Sequence, residues 1–146
     1  MRWKIVSVGK PRLAFARDGI AEYLTRLRCF CSVDVEIAKA ADSEREGRQL
    51  LSLSEGCYRL VLDERGKALT SRGLADVVTQ IEGDAKKTCA IIIGGADGLS
   101  PAVREKADRL WSLSPLTLQH EMALLLTLEQ LYRAHTIKAG LPYHRD

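Results

Sequence analysis

Hydrophobic positions along the chain fall into short runs that alternate with helical stripes. "WKIVSVG", residues 3–9, is an apolar run closed by a glycine and predicts a buried strand. In "LAFARDGIAEYLTRL", residues 13–27, Phe15, Ile20, Tyr23, Leu24 and Leu27 share one face at helical spacing. "VDVEIA", residues 33–38, alternates apolar and acidic positions, as a strand with one wet face does. "SERE", residues 43–46, matches a capping box and predicts a polar helix to about residue 53. "CYRLVLDERGKALTS", residues 57–71, predicts a strand to Leu62, a turn at Gly66 and a helix cap at Thr70 or Ser71. Leu74, Val77, Val78 and Ile81 carry that helix. "CAIII", residues 89–93, is apolar without alternation, as in a strand covered on both faces. Ser100-Pro101 fits an N-cap followed by Pro at the first helical position, and "LWSLS", residues 110–114, predicts the last strand. Strands alternating with helices predict an α/β fold: one domain over residues 1–146, with a mostly parallel sheet flanked by helices.

The final helix is predicted from Glu121, with Gly140 and Pro142 as stop signals. Leu124, Leu125, Leu128, Leu131 and Tyr132 form its stripe, and Met122, Leu126 and Ile137 widen it. A helix this apolar needs cover on more than one side. Burial within the chain and a symmetric dimer interface both meet that need.

Composition narrows the class. At 46% hydrophobic and 28% charged residues, the 146-residue chain is not of the disordered type. No apolar run approaches the roughly 20 residues of a membrane span. Lys4 interrupts the apolar start and no cleavage pattern follows, so a cytoplasmic protein is expected. The cysteines form no C-x-x-C pair and the histidines lie far apart, so no metal site is expected. A net charge of +3 accommodates an RNA partner without requiring one.

Three stretches can carry chemistry. In "AIIIGGADGLSP", residues 90–101, Gly94 and Gly95 follow a strand, where open α/β sheets bind ligands. The spacing is neither the dinucleotide fingerprint nor a P-loop, and Asp97 would repel a phosphate. The loop suits a neutral or cationic ligand, or serves only as a tight turn. "LSPLTLQH", residues 113–120, has no charge before His120 and should lie against protein or an apolar ligand face. The end, "AGLPYHRD", sets Tyr143, His144 and Arg145 in a row, which can stack on a base, exchange a proton and hold a phosphate. It can equally be a loose charged tail.

Together "KIVSVGK", "IIIGGADGLSP", "LWSLSPLTLQH" and "LEQLYRAHTIKAGLPYHRD" stand in an order that resembles the RlmH-type (YbeA-like) ribosomal RNA large-subunit methyltransferases of the SPOUT class, over essentially the whole chain. The resemblance implies a C-terminal trefoil knot, S-adenosyl-L-methionine held in the knot loops, and a homodimer with its active site at the interface. It implies methyl transfer to N3 of a pseudouridine in helix 69 of 23S rRNA on the assembled ribosome. Carried over by motif, Leu62, Gly94, Gly95, Leu113, Ser114, Pro115, Leu116, Thr117 and Leu118 would bind the cofactor. Tyr143, His144 and Arg145 would face the RNA and the partner's cofactor, with His144 as the candidate base and Arg145 as the stabilising cation. The chain departs from the family where Gln119 replaces a Pro and Leu124 replaces an Arg, which removes a fixed cation near the knot. Alternatives are a SPOUT enzyme acting on another RNA such as tRNA, and a non-catalytic ribosome-binding homologue.

Overall fold

The computed structural model describes residues 1–146. Five strands, β1 (Arg2–Val8), β2 (Ser32–Ala38), β3 (Tyr58–Ala68), β4 (Thr88–Ile92) and β5 (Arg109–Ser112), pair in parallel in the order β2-β1-β4-β3-β5. The helices are α1 (Ala14–Leu27), α2 (Ser43–Leu53), α3 (Ser71–Glu82), α4 (Pro101–Glu105) and α5 (His120–Lys138).

Alternation along the central strands sorts the helices into two layers. Trp3 and Ile5 of β1, with Cys89 and Ile91 of β4, pack among α1, α3 and α5. Val6, Val8, Ala90 and Ile92 point to the opposite face, onto Leu50 of α2 and Val103 of α4. The apolar run at β4 therefore reflects a strand buried on both sides. On α3, Leu74, Val77, Val78 and Ile81 are all buried, and the Thr70 hydroxyl accepts from the Gly73 amide at 3.0 Å.

Four local expectations are corrected. Asp42, not Ser43, caps α2, accepting from the Arg45 amide at 2.9 Å. Glu46 turns back instead to the Ala41 amide at 2.9 Å. Gly66 lies within β3, where Leu62 and Lys67 both register with Trp111 and the residues between them bulge. A Cβ on Gly66 would lie 2.5 Å from the Leu110 carbonyl carbon, so a close backbone approach takes the place of a turn. Phe15 shares the helical spacing of Ile20 and Leu27, yet it is 57% exposed beyond the edge of the core.

α5 packs against both α1 and α3. Leu124, Leu128 and Leu131 are fully buried, while Met122, Leu126 and Ile137 keep part of their surface. Leu124 belongs to the main core.

Candidate functional site: a cleft at the carboxyl edge of the sheet

Three adjacent strands, β4, β3 and β5, end side by side in the parallel sheet. Their loops enclose a cleft of about 730 Å³. Binding sites for small molecules have this size and this place in open α/β sheets.

The glycine loop forms one wall, and two of its glycines are there for lack of space. A Cβ on Gly95 would lie 2.9 Å from Glu46 Oε1 and 3.2 Å from Val8 Cγ1; one on Gly94 would lie 3.0 Å from the Leu99 side chain. Gly98, with φ +78°, closes the turn by donating its amide to the Gly95 carbonyl at 3.0 Å. The loop is thus both a tight turn and a cleft wall. Arg104 of α4 holds it, donating to the Leu99 carbonyl at 2.7 Å.

At the bulge within β3, Leu62 gives an apolar wall, and Asp63 is nearly buried between Arg104 at 3.8 Å and Arg65 at 4.0 Å. With Glu64 and Asp97, the cleft carries three carboxylates and the two guanidinium groups of Arg65 and Arg104. After β5, Leu113, Ser114, Leu116, Thr117 and Leu118 line the cleft, whereas Pro115 turns away from it. The Ser114 hydroxyl accepts from the Leu116 amide at 3.0 Å and fixes the bend. Leu116 is nevertheless 73% exposed, so this uncharged loop is covered by protein on one side only.

α5 begins where that loop ends. The Gln119 side chain caps it, accepting from the Glu121 and Met122 amides at 2.8 and 3.1 Å. Glu121 then ties α5 to the loop after β1, accepting from the Arg12 and Leu13 amides at 2.6 and 3.0 Å. Those bonds, led by the Leu13 amide, hold its carboxyl below the usual range.

Tyr143, His144 and Arg145 do not line this cleft. The tail is docked against α5, α1 and α3. Tyr143 packs edge-on to Tyr132 at 4.8 Å between centroids, and its hydroxyl meets Glu129 Oε1 at 3.0 Å and the Tyr23 hydroxyl at 3.1 Å. Burial, then these two partners, push its hydroxyl pKa up. Arg133 donates to His144 Nδ1 at 3.1 Å, which leaves the ring proton on Nε2 to donate to Asp146 at 3.0 Å. Asp146 also accepts two bonds from Arg72, at 2.9 and 2.8 Å. Arg145 is exposed and forms no ion pair.

The cleft thus unites every cofactor residue carried over by motif except Pro115. It adds Asp63 and Arg104, which no local pattern marked. A model described as "Predicted SPOUT methyltransferase" matches residues 1–144. The chain belongs to the SPOUT methyltransferase family. Relatives named ribosomal RNA large subunit methyltransferase H include a Thermus thermophilus protein, 49% identical over 145 residues and covering 99% of both chains. A Deinococcus radiodurans protein of that name is 40% identical, again over 99% of both. Among solved structures, a probable methyltransferase from Bordetella pertussis superposes with a TM-score of 0.60 at 13% identity, covering 92% of this chain and 96% of that one. A probable methylase family protein from Haemophilus influenzae gives 0.59 at 14%, covering 99% and 70%. At such low identity these two establish the fold alone. No helix of this SPOUT methyltransferase is long and apolar enough to cross a membrane, and no His, Cys, Asp and Glu cluster suits a metal ion.

Proposed function

We propose that this SPOUT methyltransferase uses S-adenosyl-L-methionine to methylate large-subunit ribosomal RNA, as the names of its relatives state for them, with N3 of a pseudouridine in helix 69 as the target. The observation that carries the reading is the cleft between three strand-end loops. Its residues fit the cofactor. The amides of Gly94, Thr117 and Leu118 have no partner within the chain and can receive the polar edge of an adenosyl group. Leu62, Leu113 and Leu118 supply apolar walls, and Asp63, Glu64 and Asp97 favour a positive ligand centre. When bound, the cofactor supplies an electrophilic methyl group and leaves as the neutral thioether.

The chain's residues must then orient the target base and release its N3 proton. Alignment of the nucleophile supplies much of the acceleration. His144 can accept that proton only if the Arg133 contact at Nδ1 opens. Arg145 is the free cation of the tail and suits the developing N3 anion or a neighbouring phosphate.

The tail lies outside its own cleft, which favours a homodimer in which each tail serves the partner's cleft. The large hydrophobic side chains left exposed fall in two places. Leu13, Phe15 and Leu116 are 38%, 57% and 73% exposed around the start of α5, and Leu141 in the tail is 48% exposed. A two-fold axis that brings one group against the other does so twice. The same reading carries the C-terminal knot and a cytoplasmic ribosome as partner.

Incubation of unmodified ribosomes with protein and S-adenosyl-L-methionine, then mass spectrometry of helix 69, tests the proposal. One added methyl group at the pseudouridine is expected. Methylation of tRNA instead would overturn the target, and no cofactor binding in calorimetry would overturn the enzymatic reading.

A further inference from the structure

Three cations stand together at the carboxyl edge of the sheet, and the cleft chemistry uses none of them. β1 and β2 end in register at Val8 and Ala38, and the Gly9 amide donates to the Ala38 carbonyl at 2.9 Å. Lys10 and Lys39 therefore leave the sheet side by side. Arg12 follows two residues after Lys10. All three are exposed, and none forms an ion pair. At the opposite edge, Arg2, Lys4 and Lys86 are each paired with a carboxylate, and the unpaired Arg28, Lys87 and Lys106 precede three different strands.

Their backbones are held firmly. The Lys39 amide donates to Gln49 Oε1 at 2.9 Å, and its carbonyl accepts from Gln49 Nε2 at 3.0 Å. The Arg12 amide is fixed by Glu121. The loop after β1, which carries Lys10 and Arg12, also borders the cleft on two sides. Val8 contacts the glycine loop beside Gly95, and Glu121 sits next to Gln119 and His120 of the cleft wall. The nearby Glu46 and Glu121 are buried, each bonded to backbone amides, and present no carboxylate at the surface.

We infer that Lys10, Arg12 and Lys39 form the surface that grips the phosphate backbone of the RNA substrate and leads its target base to the cleft. Flexible cations on a fixed backbone at the mouth of an active site bind phosphates regardless of sequence and set the salt dependence of association. The inference rests on the RNA methyltransferase reading and adds where the RNA enters, on the side of the cleft toward β1 and β2.

The test compares the triple variant Lys10→Ala, Arg12→Ala, Lys39→Ala with a charge-matched control, Arg28→Ala, Lys87→Ala, Lys106→Ala. The control residues are exposed and unpaired and precede β2, β4 and β5 at the opposite edge. Cosedimentation with ribosomes at about 0.1 M salt should show at least tenfold weaker binding for the triple variant and less than twofold for the control. The slope of log affinity against log salt should fall by about 2, at roughly 0.7 per lost single-strand phosphate contact. Calorimetry with S-adenosyl-L-methionine should give the same affinity for all three proteins. Equal ribosome binding by triple variant and control overturns the surface, as does a wild-type protein that binds no ribosomes. If the triple variant loses ribosomes but binds a protein-free helix 69 RNA like wild type at about 0.02 M salt, the surface meets a protein and the inference fails. If wild type binds ribosomes through these residues without methylating them, the surface stands and the enzymatic reading fails.

Discussion

Gly95 shows what a single missing side chain allows. A Cβ there would press on the Glu46 carboxylate at 2.9 Å and on Val8, both buried, so neither yields easily. Overpacking of this kind costs about 1–3 kcal/mol. Gly95→Ala is expected to lower thermal stability and weaken S-adenosyl-L-methionine binding at least tenfold, read by calorimetry and a melting curve. His135 makes a different point. Its ring stacks on Phe30 and meets Trp3 edge-on, while its Nε2 is buried without a partner. Burial lowers its pKa. The unfolded chain therefore takes up the proton first as pH falls. This part of the stability is present above the ordinary value of about 6.5 and is lost on acidification below it. His135→Phe should flatten the melting temperature between about pH 6.5 and 5 relative to wild type. A parallel fall in both proteins would exclude His135 as the cause.

At the scale of elements, α5 and the tail behave as one unit. Leu128 is fully buried between α1 and α3, and Leu128→Ala should cost about 2–5 kcal/mol in denaturant unfolding. The tail is held in part through Asp146. The Arg72 guanidinium, then His144, bring the Asp146 carboxyl down to about 2. A depressed carboxyl stabilises the docked tail above its ordinary value of about 3.9 and loses that contribution as pH falls toward the lowered one. NMR resonances of Tyr143 should therefore report tail release between about pH 4 and 2, and Arg72→Ala should shift the release upward. The helical stripe of α5 was legible in its spacing. The docking of the tail was not, since its partners Tyr23, Arg72 and Glu129 lie up to 120 residues away along the chain.

For the whole molecule, the decisive feature is that the cleft and the tail of one chain are apart. If each tail completes the partner's cleft, a Gly95→Ala subunit and a subunit lacking residues 143–146 should rescue each other. Random mixing makes half the dimers mixed, each with one complete site, so methylation should recover to about a quarter of wild type. No recovery, with mixed dimers verified by native mass spectrometry, would place the tail's action within its own chain.

The order of elements, the strand buried on both faces and the glycine loop were readable from periodicity and turn chemistry, because these depend on near neighbours. The same near-neighbour logic put a turn at Gly66 and a buried face under Phe15, and failed there, because a distant strand and the edge of the core decide those positions. The family resemblance named eight of the residues that line the cleft and none of its charged ones. Only the folded chain determined that β4, β3 and β5 lie next to one another, that Leu124 fills the core, and that Lys10, Arg12 and Lys39 share one edge. Such relations join residues through space, and an alternation of polar and apolar positions carries no distance between them.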